Sequence, residues 1–222
     1  MSTNSTIHPV TVLLVDDHAV LRESLGHWLR GDGRVRIVGD VGSADEAIPL
    51  ALEHRPEVIV MDIDLPGRGC FDAVRSIRSD LPGVAVLFLS AHSSDSYIEA
   101  ALNVEALGYM TKHEQPERVL EAILTVAKGG IFFSPEVQSR IVVEGHGVRL
   151  SRQSTHTSML SPREFEVLRY IARGLSKKQI ADIIGLSPKT VDNHASSLMS
   201  KLDLHDRVEL ARFAFREGLV HV

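Results

Sequence analysis

Between residues 10 and 111 the chain repeats one pattern five times: an apolar run of four to six residues, then a polar closure or turn, then a segment of helical spacing. The runs are Val10 to Val15, Val35 to Val38, Val58 to Met61, Ala85 to Leu89 and Ala106 to Met110. Apolar side chains on both sides of a run mark a strand covered on both faces. A helix-length segment between runs supplies the crossover that parallel strands need and a tight hairpin does not. The repeat predicts an α/β fold, a doubly wound five-stranded parallel sheet over residues 10–130. Its first helix follows Asp17, with Leu21, Leu25, Trp28 and Leu29 on one face and Gly31 to Gly33 as the stop. Others are expected from Ser43 to His54, Phe71 to Ser79, Asp95 to Leu102 and Pro116 to Lys128.

In such a sheet the carboxyl ends of the strands share one edge, where ligands bind, so residues far apart in sequence become neighbours. That edge gathers Asp16, Asp17, Asp62, Ser90 and, just past the last strand, Lys112. Carboxylates about 4 Å apart at an effective dielectric near 20 repel by roughly 4 kcal/mol, which a divalent cation relieves. Hard oxygen donors favour magnesium over zinc, and no Cys or His is expected to compete. A carboxylate beside magnesium, with a lysine to neutralise added charge, is suited to accept a phosphoryl group. The product is an acyl phosphate on Asp62, with Ser90 and Lys112 as donors to its oxygens.

Charge divides the chain. Residues 1–130 hold 11 Lys and Arg against 19 Asp and Glu, whereas residues 159–222 hold 10 against 8. An acidic front suits a cation and a mildly basic back suits a polyanion. One cysteine, Cys70, excludes an intramolecular disulfide framework. The 11 histidines show no paired metal spacing and are expected at the surface or satisfied in the core. The first nine residues, read as a tail, have no apolar core, and no run approaches the roughly 20 residues of a membrane span. A cytoplasmic chain with no membrane partner is the expectation.

The segments VLLVDDH (12–18), VIVMDIDLPG (58–67), LFLSAH (87–92) and ALGYMTK (106–112) resemble the receiver domain of two-component response regulators. The resemblance implies that Asp62 is the phosphoacceptor and that Asp16 and Asp17 are metal-site acids. It further makes the Asp64 backbone carbonyl a metal ligand, Ser90 the switch hydroxyl, Tyr109 the switch aromatic and Lys112 the phosphate-pairing lysine. Read by itself, Tyr109 is a partly buried aromatic with a wet hydroxyl. Two positions depart from the family pattern. Cys70 stands where glycine is usual, and Glu105 stands where a glycine commonly ends the fourth helix, a cost of roughly 1–2 kcal/mol if that position is left-handed.

Beyond Gly129-Gly130, residues 131–158 read as a linker: Ser134-Pro135 starts a short helix to about Val143, and Glu144 to Ser158 is a tether. Arg149 and Arg152 within it are expected in solvent, with a phosphate contact as the lesser alternative. From residue 159 helix starts come in quick succession: Ser161-Pro162-Arg163-Glu164, Ser176-Lys177-Lys178-Gln179 and Ser187-Pro188. Helices are expected near 162–173, 177–184, 188–202 and 206–217, the second and third joined by Gly185-Leu186-Ser187 alone, as in a helix-turn-helix. On the third helix Val191, Ala195, Leu198 and Leu202 form the inner stripe, leaving Lys189, Asn193, Ser196 and Ser200 outside. Short polar side chains admit a helix to a major groove, and Asn can pair with adenine in bidentate fashion.

Residues 159–222, with LSPREFEVLRYIARGLSKKQIADIIGLSPKTVDNHASSLMSKL, resemble the LuxR-type helix-turn-helix, and the two halves together resemble the NarL/FixJ class of response regulators. The resemblance puts Asp192, Asn193 and Ser196 towards bases, and Lys178, Thr190 and Lys201 on phosphates. Asp192 and Ser196 stand where basic residues are common, which lowers nonspecific affinity for DNA. The implied partners are a sensor histidine kinase, double-stranded promoter DNA and, once phosphorylated, a second copy of the chain. Enzyme activity is limited to self-phosphorylation and autodephosphorylation at Asp62. Three rivals stand beside this: a regulator that works without phosphorylation, a helical domain that docks protein rather than DNA, and a haloacid-dehalogenase-like phosphatase using Asp62 and Asp64.

Overall fold

The computed structural model describes residues 8–91, 94–144, 147–150, 160–216 and 219. The sheet is parallel throughout and consists of β1 (Val10–Val15), β2 (Val35–Val41), β3 (Val58–Asp62), β4 (Ala85–Ser90), β5 (Gly108–Thr111) and β6 (Phe132–Phe133), in the order β2-β1-β3-β4-β5-β6. Between them run α1 (Ala19–Asp32), α2 (Ala44–His54), α3 (Cys70–Asp80), α4 (Asp95–Asn103) and α5 (Pro116–Val126). One face of the strands, with Val12, Leu14, Val58, Val60, Leu87 and Leu89 among its residues, packs with Leu25 and Leu29 of α1 and with Val119, Leu120 and Ile123 of α5. The opposite face, with Leu13, Ile59, Met61, Val86 and Phe88 among its residues, packs with α2, α3 and α4. β3 and β4 thus feed two cores, which is why their runs are apolar without alternation.

The sixth strand corrects the expectation of five. Phe132 and Phe133 pair with Gly108 and Tyr109, an element too short to carry any periodicity. Gly108 is required by that approach, since a Cβ there would lie 2.4 Å from Leu87 Cδ1 and 2.9 Å from the Phe132 carbonyl. The Ser134 amide extends the contact by donating to the Tyr109 carbonyl at 3.0 Å. The expected short helix is a single turn, α6 (Pro135–Gln138). Part of the expected tether is instead an antiparallel hairpin, β7 (Ile141–Glu144) with β8 (Gly147–Leu150), and β8 lies against α4. The side chain of Arg149 and the whole of Arg152 lie outside the described residues.

The helical domain has α7 (Pro162–Ala172), α8 (Lys177–Ile184), α9 (Pro188–Leu202) and α10 (Arg207–Arg216), close to the expected bounds. Ser161 and Ser176 each form a complete capping box, and the Ser187 hydroxyl accepts from the Thr190 amide. Such caps satisfy orphan amides and contribute about 1 kcal/mol each. Gly185, at φ 68°, makes the left-handed stop that turns α8 into α9. Phe165, Leu168, Ile180, Val191, Leu198 and Phe213 fill the core. This core is continuous with the α2–α4 side of the sheet domain. The rings of Tyr97 on α4 and Phe165 on α7 meet edge to face, 4.5 Å between centroids.

Candidate functional site

The parallel topology brings the expected residues together. Asp62 ends β3 and Ser90 ends β4, while Asp16 and Lys112 each follow a strand by one residue. Lys112 is drawn in by its own amide, which donates to the Ser90 carbonyl at 2.7 Å. Its ammonium lies 2.7 Å from Asp16 Oδ2 and 2.8 Å from Asp62 Oδ2, bridging the two acids. The other Asp62 oxygen accepts from the Asp64 amide at 3.2 Å. Burial pushes the Asp62 carboxyl up to about 6 against the pull of Lys112, with Asp64 and Asp16 adding to the rise. At neutral pH it is therefore ionised and weakly solvated, as a nucleophile should be.

Ligand atoms of Asp16, Asp17, His18 and Asp62 all fall within 4.8 Å of one another. His18 corrects the expectation that no histidine competes. The chain turns back at the mouth of β1, and His18 Nδ1 comes 2.7 Å from Asp17 Oδ1. Asp16 and Asp62 are buried and Asp17 exposed, so the acids make a cup that opens to solvent. Three carboxylates and the nearby Asp64 backbone are the hard oxygen set that suits magnesium. The Asp64 carboxylate is turned elsewhere: it forms an ion pair with Arg169 of α7. That engagement removes it as the general acid that the phosphatase reading requires.

Tyr109 is fully buried rather than partly wet, because β6 covers the strand that carries it. Its hydroxyl is hydrogen-bonded to that of Ser90, and burial raises the phenol's pKa. Glu105 is left-handed at φ 54° and is held by Arg78, which donates to the carbonyls of Val104 and Glu105 at 2.8 and 2.7 Å and to Glu105 Oε2 at 2.7 Å. Cys70 is the first residue of α3, and the preceding loop takes its positive φ at Gly67 instead.

Sequence reasoning missed the joint between the domains. Besides Asp64, the Arg169 guanidinium donates to the Tyr97 hydroxyl at 2.7 Å. Arg163 reaches Asp72 of α3 at 3.2 Å. Between the domains lies a cavity of about 330 Å³, lined by Leu65, Phe71, Arg163, Tyr170 and His194 among others. Arginines on an exposed-looking helix give no sequence signal of this kind.

On α9, Lys189, Asp192, Asn193 and Ser196 are exposed, as is Lys178 on α8. Asp192 is paired with Lys177, whose ammonium lies 3.0 and 3.1 Å from its two oxygens. The Thr190 hydroxyl sits 2.8 Å from that of Ser187, within the cap. Lys201 is tied back to Glu164 Oε2 at 2.6 Å. Burial raises the Glu164 carboxyl, but Lys201, Ser197 and Ser161 outweigh it and hold its pKa down at about 2. The described residues include no helix long and apolar enough to cross a membrane.

Two family models match, a response regulator receiver domain over residues 12–124 and the luxR family of bacterial regulatory proteins over residues 158–214. The response regulator protein VraR of Staphylococcus aureus is 31% identical over 95% of this chain and 99% of its own. The transcriptional regulatory protein DegU of Brevibacillus brevis is 29% identical over 96% of both. A two-component response regulator of the LuxR family from Aurantimonas sp. SI85-9A1 is 30% identical, covering 60% of this chain and 94% of its own, with a TM-score of 0.57. RcsB from Salmonella enterica serovar Typhimurium, solved on promoter P1flhDC with the phosphomimetic BeF3−, shares the fold at 22% identity. Its TM-score is 0.70, over 96% of this chain and 100% of its own.

Proposed function

The chain belongs to the NarL/FixJ class of two-component response regulators, a receiver joined to a LuxR-type helix-turn-helix, and we propose that its regulatory event is phosphorylation of Asp62 by a sensor histidine kinase. An Asp62 carboxylate oxygen attacks the phosphorus of a phosphohistidine. The new P–O bond forms as the P–N bond breaks, and the departing imidazole nitrogen takes a proton from water. Asp16, Asp17 and Asp62, with the Asp64 carbonyl, would hold magnesium, which supplies charge neutralisation for the transferring group.

The observation that carries this reading is the bridge of Lys112 between Asp16 and Asp62 over a buried acid at the open edge of the sheet. An ammonium already 2.8 Å from the acceptor oxygen is placed to pair with the phosphoryl oxygens that replace it. Ser90 then turns its hydroxyl to the phosphoryl group, and Tyr109 loses the partner it has. That change at the buried switch alters the face on which α4 and α7 meet, and so the availability of the receiver and helical domain for pairing with a second copy. Two copies of α9 then read half-sites of promoter DNA about one helical turn apart. Asn193 and Ser196 face base edges, while Lys178 and Lys189 hold phosphates. The cytoplasm, where kinase and promoter meet, is the proposed setting.

One observation favours a second reading, a regulator competent without phosphate: Tyr109 is already inside and the α9 reading residues are already exposed. Acetyl phosphate with magnesium separates the two. On the proposed function, intact mass shows one phosphoryl group on the wild type and none on Asp62→Ala, and only the phosphorylated chain gains affinity in gel retardation with duplex DNA. Equal retardation of both would support the second reading, and a label on both proteins would reject Asp62 as the acceptor.

A further inference from the structure

We infer that Arg169, a residue of the helical domain, is a positioning residue of the receiver's acceptor site, and that it and the divalent cation compete as counter-ions of the same acidic loop. The inference rests on the reading of Asp16, Asp17, Asp62 and Asp64 as the metal site. The Arg169 guanidinium is buried and engages Asp64 and the Tyr97 hydroxyl together. Asp64 is tied in turn to the acceptor, since its amide donates to Asp62 Oδ1 at 3.2 Å. Two polar contacts, joined through Asp64, thus link the second domain to the proposed acceptor carboxylate.

The residues around Arg169 set the sign of the effect. Facing it from the receiver are Asp64 and Tyr97, and from its own helix Glu166 and Tyr170. Asp64 is the anion held closest, so docking of α7 already neutralises one acid of the loop. A magnesium ion drawn to Asp16, Asp17, Asp62 and the Asp64 carbonyl would meet a second cation across Asp64, whose pair with Arg169 is largely buried. Two cations near one low-dielectric loop repel, so docking lowers magnesium affinity. Reciprocity then requires that magnesium weaken docking by the same factor. Asp72, paired with Arg163 at 3.2 Å, is a docking contact on α3 outside the metal loop.

The test is a magnesium titration of the full chain by calorimetry, with small-angle scattering at each end point, on wild type, Arg169→Gln and Arg169→Lys. Arg169→Gln keeps most of the side-chain volume without the charge. Its expected magnesium affinity is about tenfold tighter than wild type, with domains already separated and a radius of gyration that magnesium no longer changes. Wild type should expand when magnesium is added. Arg169→Lys, which restores the cation, should bring the affinity back towards wild type. An Arg169→Gln affinity within twofold of wild type overturns the inference, and so does a wild-type radius indifferent to magnesium. Acetyl phosphate labelling of the same samples separates the two levels: label on Asp62 with unchanged magnesium affinity rejects Arg169 alone, whereas no label and no magnesium binding in any variant rejects the metal-site reading beneath it.

Discussion

At the carboxyl edge of the sheet, charged groups are pressed together away from water; along α9, polar side chains stand apart in it. Asp16, Asp62 and Lys112 are mutually dependent, since each satisfies a charge that the others would leave buried and unpaired. Asn193, Ser196 and Lys189 are each exposed on the outer face of α9. Coupled buried groups show large, non-additive substitution effects, and separate exposed ones show moderate effects that add. Substitutions at the sheet edge should therefore act on one unit, while the exposed face of α9 can be altered one position at a time.

The sharpest way to break this comparison is Lys112→Ala without magnesium. Stranding two buried acids should cost about 3–5 kcal/mol in urea unfolding at pH 7.5. Adding Asp62→Asn should recover much of that loss; simple additivity of the two changes would show that the pocket is not one unit. Asp62→Asn alone carries a pH signature. The folded carboxyl titrates near 6 and an unfolded one near 3.8, so the folded chain binds the extra proton between those values. Wild-type stability should then fall as pH rises through that window, by roughly 1–3 kcal/mol, and the Asn variant should lack the slope.

On the exposed side, Asn193→Ala should weaken operator binding by about 1–3 kcal/mol and relax preference at one base pair, read by retardation on a set of single-base variants. A uniform loss over all sequences would place Asn193 on the backbone instead. The smallest expected effect lies at Glu105. Glycine there removes left-handed strain of roughly 1–2 kcal/mol but also the Arg78 contact to the side chain, so Glu105→Gly should leave the melting temperature almost unmoved.

The acceptor pocket was legible because a parallel sheet gathers strand ends by rule, so Asp16, Asp62, Ser90 and Lys112 needed only strand periodicity to be found. Helix starts in the second half were equally plain, since Ser-Pro and Ser-x-x-Gln act within a single turn. What escaped reading depends on packing between distant elements. Arg169 and Tyr97 meet across 72 residues of chain, and an arginine on a helix looks like a solvated one until its partner is known. The pair of Lys201 with Glu164 likewise joins helices 37 residues apart in the chain. Phe132-Phe133 was too brief to register as a strand, and Tyr109 seemed wet only because that cover was not foreseen.

The stitch from Ser134 to Tyr109 gives the leash between the domains a fixed root. Changes of length beyond Ser134 therefore leave the sheet's hem in place. Cutting at Phe132 and Phe133 would unpick the hem itself and bare the ring of Tyr109.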